Sequence, residues 1–303
     1  MNELLAVRQL VAQGRLGAHI IPIIEPVNIT ATLVSTLEAF IAADHPVAII
    51  RNPKVGRLGL QTTNSANPYL ARYEHICRQE PVIMGLIMQQ NTREMLQQFQ
   101  QSGTRKDELL VICTDHAYVE AYTQEFSDYP PRFVLVPDDM GIRRRVKGSR
   151  IFLDDKFHRL DRNADYQQQD DEFFSDDHLW YQEEGYLGFS DFSIIGNEYF
   201  ERGFAPLAVA IHLIYLDEDN CQRVRHFVSD SNEDIRDPAG KFFEALEKLV
   251  AWHNDHPQLH MTDGLKALLT HHDQQRYPGL GVVKRLTLMH HLELMSQYFD
   301  GEY

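Results

Sequence analysis

Short apolar runs that stop at a polar or acidic residue recur along the chain, each followed by a helical or loop segment. The runs are HIIPIIEP (19–26), PVAIIRNP (46–53), PVIMGLIMQQ (81–90), ELLVICTDH (108–116), RFVLVPDD (132–139), RIFLDDKF (150–157), GYLGFSDFSII (185–195) and LAVAIHLIYL (207–216). They are apolar at nearly every position rather than at alternate ones, which predicts strands buried on both faces of a parallel sheet. Helical patterns at 30–43, 67–79, 91–101 and 116–126 supply the crossovers between them. Eight runs in this order predict a TIM-like (β/α)8 barrel, with the functional site at the C-terminal strand ends. Only ten residues, 140–149, join the fifth and sixth runs, so the barrel is expected to be distorted there or the two runs to form a hairpin.

The eighth run is followed by DEDN and a second strand-like run, CQRVRHFVS (221–229), which predicts a β-hairpin extension over about 206–229. Beyond it lie helical patterns at 237–254, 262–275 and 282–298, broken by Pro257, Pro278 and Gly279–Gly281. No linker interrupts the pattern, so residues 1–303 read as one α/β-barrel domain.

A chain of 303 residues can bury a large core without disulfide or metal staples. Its three cysteines, Cys77, Cys113 and Cys221, are dispersed and form no CxxC pair, which predicts a reducing, cytoplasmic setting. No stretch reaches the roughly 18 apolar residues of a membrane span. Net charge is −15, from 44 acidic against 29 basic residues, so tight binding of nucleic acid by this chain alone is not expected. The charge is uneven. Residues 140–150 hold five basic side chains and no acid, whereas 154–191 hold twelve acids against Lys156, Arg159 and Arg162. The acidic part, about 158–184, reads as a lid-like insertion.

Polar residues at the strand ends are the main candidates for chemistry. Glu25, Asp138, Asp154 and Asp191 could converge on a hard divalent cation, Mg²⁺ or Mn²⁺. Asp115 or His116 would then act on an attacking water, with Arg51 and Lys156 opposing anionic charge. Acids at strand ends also commonly cap the following helix. Pro137-Asp138 followed by Asp154-Asp155-Lys156 matches the PD…(D/E)xK pattern of metal-dependent nucleases, but the pattern is degenerate. A hairpin at this point would place Asp138 and Asp154 at opposite ends. Arg143, Arg144 and Arg145, beside Gly148, could grip phosphate, or could simply balance the acidic segment. No GxxxxGK[ST], GxGxxG or GxSxG motif occurs.

The segments NELLAVRQL (2–10), IIPIIEPV (20–27), LDDKFHRLDRNADY (153–166), DEFFSDDHLWYQEEGYLGFSDF (171–192) and PGLGVVKRLTLMHHLEL (278–294) resemble the "beta protein" family of phages and bacteria. The resemblance covers most of the chain and is closest to the bacterial branch found in two-gene, mobile or defence-associated loci. It implies a TIM-like barrel and a protein partner encoded nearby, and it carries no catalytic assignment. Members usually begin with a short strand ending in a Leu-Arg-Gly type segment. This chain opens at the helix that follows, which predicts a missing opening strand.

Two functional readings follow. In one, the protein is half of a two-protein antiphage defence module and a divalent-metal-dependent hydrolase of a phosphoester in a nucleotide or nucleic acid. In the other, it is a non-catalytic scaffold or sensor that binds or neutralises a partner effector through its acidic surface. Either reading leaves room for a homodimer.

Overall fold

The computed structural model describes residues 1–56, 58, 67–199 and 207–301. Packing divides the chain into two compact units. One comprises Ile21–Asp154 and Asp177–Asp191; the other comprises Met1–Ile20, Asp155–Asp176 and Phe192–Tyr303.

The first unit is built on strands β1 (Ile23–Ile24), β2 (Val47–Ile50), β3 (Val82–Ile87), β4 (Leu110–Ile112), β5 (Phe133–Val136), β6 (Arg150–Leu153) and, after the excursion into the other unit, β8 (Gly188–Ser190). All pair in parallel, in the order β1-β2-β3-β4-β5-β6-β8, and the sheet curls into a half-barrel flanked by helices. The flanking helices are α2 (Ala31–Ala42), α3 (Leu70–Ile76), α4 (Thr92–Gln101), α5 (Val119–Phe126), α6 (Met140–Arg145) and α7 (Asp177–Trp180). The apolar runs became strands because both faces are covered: Val47, Ala48, Ile49 and Ile50 are all fully buried. Alternate residues Ala48, Ile50, Ile83, Ile87, Leu110, Leu135 and Leu153 pack together on one face.

The fifth and sixth runs do not form a hairpin. They pair in parallel, Leu135 opposite Ile151, because the six-residue α6 returns the chain to the start of β6. Asp139 makes so short a crossover possible by capping α6, its Oδ1 accepting from the Ile142 amide at 2.9 Å.

The second unit holds an antiparallel sheet in the order β7 (Asp171–Ser175), β10 (Gln222–Val228), β9 (Ala210–Leu216), with helices α1 (Asn2–Ala12), α8 (Pro238–Asp255), α9 (Asp263–Asp273) and α10 (Leu280–Asp300). The eighth apolar run is therefore not a strand of the parallel sheet, and seven parallel strands rather than eight are present among the described residues. Its partner is local: Asp217 Oδ1 accepts from the amides of Asp219 and Cys221 at 3.0 and 2.9 Å, closing a tight turn that pairs β9 with β10. The expected hairpin over 206–229 is thus this pair, residue 206 lying outside the described residues. Phe174, Ile214, Leu216, Val224, Val228 and Leu294 of α10 form one core. On the sheet's other face Trp252 of α8 meets Tyr215 and Phe227, ring centroids 5.1 and 5.6 Å apart.

The acidic stretch 158–184 is divided between the two units. Its part 171–175 is strand β7, which no alternation in DEFFS announced. Cross-strand partners accommodate its charge: Asp171 accepts from Tyr215 Oη at 2.6 Å, Arg223 Nε at 2.7 Å and Arg225 Nη1 at 3.2 Å. All three cysteines are free thiols, and burial pushes the Cys113 thiol up to about 12. No helix among the described residues is long and apolar enough to cross a membrane.

Candidate active site

Because the strands of the first unit run the same way, the residue that follows each one is delivered to the same edge of the sheet. Glu25 directly follows β1, Arg51 follows β2, Asp154 follows β6 and Asp191 follows β8, while Asp115 and His116 lie just beyond β4 and Asp138 just beyond β5. This C-terminal edge is where a curled parallel sheet places its chemistry.

Strand order then decides which side chains can meet. Glu25 and Asp191 follow the two outermost strands, with five strands between them. Glu25 is spent locally, Oε1 accepting from the Lys54 amide at 2.6 Å. Asp138 pairs with Arg143, Oδ1 to Nη1 at 2.9 Å. Among the described residues no three His, Cys, Asp or Glu side chains form a group that could hold a metal ion. Asp138 and Asp154 do share an edge on neighbouring strands, since β5 and β6 are parallel. Lys156, the third member of the nuclease-like pattern, belongs to the other unit.

One polar pair on this edge has geometry suited to proton transfer. His116 Nε2 lies 3.0 Å from Asp139 Oδ2, across adjacent strands β4 and β5. The carboxylate can only accept, so Nε2 carries a proton, and the neutral imidazole of this tautomer has its lone pair on Nδ1. The Ile142 amide first and His116 second lower the Asp139 carboxyl from its ordinary value. The His116 side chain is 63% exposed. Gly141 makes the approach possible: a Cβ there would sit 2.8 Å from His116 Cε1 and 3.1 Å from Asp139 Oδ1. Asp115, weighed beside His116 as the base, is engaged instead in the turn 116–118, accepting from the Ala117 amide at 2.8 Å.

Arg51 is nearly buried, its Nη2 bonding Glu74 Oε1 at 2.6 Å and its guanidinium lying 5.0 Å from the Tyr73 ring. It braces β2 against α3. Beside it Asn52 bridges the ends of β2 and β3: Nδ2 donates to Ile87 O, and Oδ1 accepts from Ile87 N, both at 2.8 Å. Gln89 Nε2 donates to Asn52 O at 2.7 Å. Asn52→Ala should lower stability by about 1–3 kcal/mol, because two buried backbone groups lose their partners. Urea unfolding measures it, and a loss below about 0.5 kcal/mol would remove Asn52 as a brace of this edge.

The basic stretch is not one cluster of phosphate ligands. Arg143 is tied to Asp138 and lies 5.1 Å from the Tyr186 ring, while Arg150 reaches the same ring at 5.7 Å. Arg144 and Arg145 point to solvent at the end of α6. The residues that sequence reasoning passed over are Asp139, Gly141 and Asn52. For Asp139 the signal was present, an Asp three positions before Ile142 at a helix start. Compared with protein-family models, curated proteins and solved structures, the chain matches none.

Proposed function

We propose that the C-terminal edge of the parallel sheet hydrolyses a phosphoester in a nucleotide or nucleic acid, as one half of a two-protein antiphage module. The observation that carries the reading is the exposed His116–Asp139 pair, Nε2 to Oδ2 at 3.0 Å. In this reading water attacks phosphorus as Nδ1 takes its proton; the P–O bond to the leaving group breaks, and solvent protonates the departing oxygen. Asp139 fixes the tautomer and steadies the imidazolium. Arg143, on the helix that Asp139 caps, would exchange its Asp138 partner for phosphate and oppose the charge that grows there. The dispersed carboxylates do not fit an all-protein site for Mg²⁺ or Mn²⁺, so no step is routed through a metal. The partner and the defence setting rest on the family resemblance.

The test is cleavage of bis-p-nitrophenyl phosphate and of labelled oligonucleotides by the purified protein, alone and with its genetic neighbour, in EDTA and in Mg²⁺. His116→Ala should abolish any activity found. Turnover that survives in this variant would overturn the assignment.

A second reading has its own observation. Phe173 is 54% exposed on edge strand β7, within the acidic stretch 158–184, which suits a non-catalytic scaffold or sensor that docks a partner there. Co-purification lost on Phe173→Ser, with no hydrolysis detected under any condition, would favour it.

A further inference from the structure

In the antiparallel sheet of the second unit, His212 of β9 stands directly opposite His226 of β10. Their Nδ1 atoms are 2.7 Å apart. His226 Nε2 lies 3.1 Å from Glu172 Oε1, and Glu172 Oε2 lies 3.5 Å from Nδ1 of the exposed His158. The rings of Phe157 and Tyr166 close over the pair, Phe157 at 5.1 Å from His212 and Tyr166 at 4.7 and 4.5 Å from His212 and His226.

Hydrogen-bond logic fixes the protons. Glu172 accepts, so His226 carries its proton on Nε2 and presents a lone pair on Nδ1. His212 must then be the Nδ1–H tautomer, donating to it. One added proton is tolerated: His226 becomes an imidazolium beside Glu172 and His212 shifts its own proton to Nε2. A second proton is not tolerated, because two N–H groups would point at each other across 2.7 Å.

We infer that His212 and His226 form a proton-counting switch that releases the segment 157–168 from the antiparallel sheet when both imidazoles are charged. That segment is also held by the packing of Leu160 and Ala164 against the core and by the His158–Glu172 pair. Asn163 Nδ2 donates to Ala208 O at 2.9 Å, Gln167 Nε2 donates to Ser229 O at 2.7 Å, and the rings of Phe157 and Tyr166 belong to the same core.

The groups facing the pair agree with this. Burial first, then the neighbouring His226 and Arg159, push His212 down to about 3. Burial also lowers His226, against the pull of Glu172, Asp171 and Asp170 on β7. Tyr166 is neutral, its hydroxyl engaged with Leu160 N and His158 O. From α10, His290 donates Nε2 to Ile214 O at 2.7 Å, and His291 Nε2 bonds Gln222 Oε1 at 2.8 Å. Both folded-state values of the pair lie below the ordinary imidazole 6.5, so the closed form is fully stabilised above that pH. It weakens as pH falls, since only the open form takes up both protons.

The experiment has two arms on the full chain. Long-range ¹H–¹⁵N spectra at pH 7.5 should show His212 protonated on Nδ1 and His226 on Nε2. Hydrogen exchange, corrected for intrinsic rates, should show protection of 157–168 falling roughly tenfold per bound proton for each pH unit below about 6.5, ahead of β9 and β10. His212→Phe, which offers a ring that cannot titrate to the same aromatic box, should flatten that response. His290, also buried and lowered to about 4, stays in this variant as the internal control. Nε2–H on both histidines at pH 7.5, or an unchanged pH response in 157–168 of a folded His212→Phe protein, would overturn the inference.

Discussion

Asparagine at position 139 should leave the protein folded and cut phosphoester hydrolysis by roughly 10²–10⁴-fold, the usual worth of a positioned general base. Asn caps helices about as well as Asp, so its Oδ1 still accepts from the Ile142 amide and α6 survives. What changes is the other side of the group. An amide Nδ2 beside His116 Nε2 donates where the carboxylate accepted, which forces the imidazole proton onto Nδ1. The lone pair that would meet water is then gone, as in serine hydrolases whose orienting Asp is replaced. The measurement is kcat for the proposed reaction together with the melting temperature. A kcat within threefold of the parent protein, at equal stability, would show that His116 does not work through Asp139. Gly141→Ala offers a second check, because a methyl 2.8 Å from His116 Cε1 and 3.1 Å from Asp139 Oδ1 pushes the pair apart while keeping both side chains.

Alanine at Gly264 should cost at least about 3 kcal/mol, at the upper end of overpacking penalties. Gly264 lies in the first turn of α9 where that helix crosses α10, and an added Cβ would be 2.3 Å from Leu286 O and 2.7 Å from His290 N. Both are main-chain atoms of α10, so relief requires moving a helix rather than turning a side chain. Ala is the better helix former by about 1 kcal/mol, which offsets only part of this. The disturbance also reaches Thr262, whose hydroxyl is 2.7 Å from His290 Nδ1 and accepts from the Leu265 amide at 3.1 Å. Chemical denaturation of both proteins reads the difference. A change below about 1 kcal/mol would mean that the two helices can part at little cost.

The fate of individual segments separates what was legible in the sequence from what was not. Runs such as VAII, VIMGLI and FVLV announced buried strands because a strand covered on both faces must be apolar throughout, a property of the chain alone. The three C-terminal helices were equally plain, since a period near 3.6 is local and Pro257, Pro278 and Gly279 punctuate it. The strand-end positions of Glu25, Arg51, Asp138, Asp154 and Asp191 followed from the same pattern, and those residues do occupy the C-terminal ends of the parallel strands.

Pairing was decided elsewhere. LAVAIHLIYL has the composition of a parallel strand, but the turn at Asp217 gives it an antiparallel neighbour across a five-residue connection, and a neighbour so close wins on loop-closure entropy. DEFFS carries too many acids to read as a strand until Tyr215, Arg223 and Arg225 arrive from two other strands to meet Asp171. The direction of β6 hinged on a six-residue helix and its Asp139 cap. The same folding step chose the site: it set Asp139, rather than the flagged Asp138, against His116 and left the other carboxylates on separate strands. Periodicity along a chain records which faces are buried. Which groups meet depends on register and strand order, and those are fixed only when distant segments close on one another.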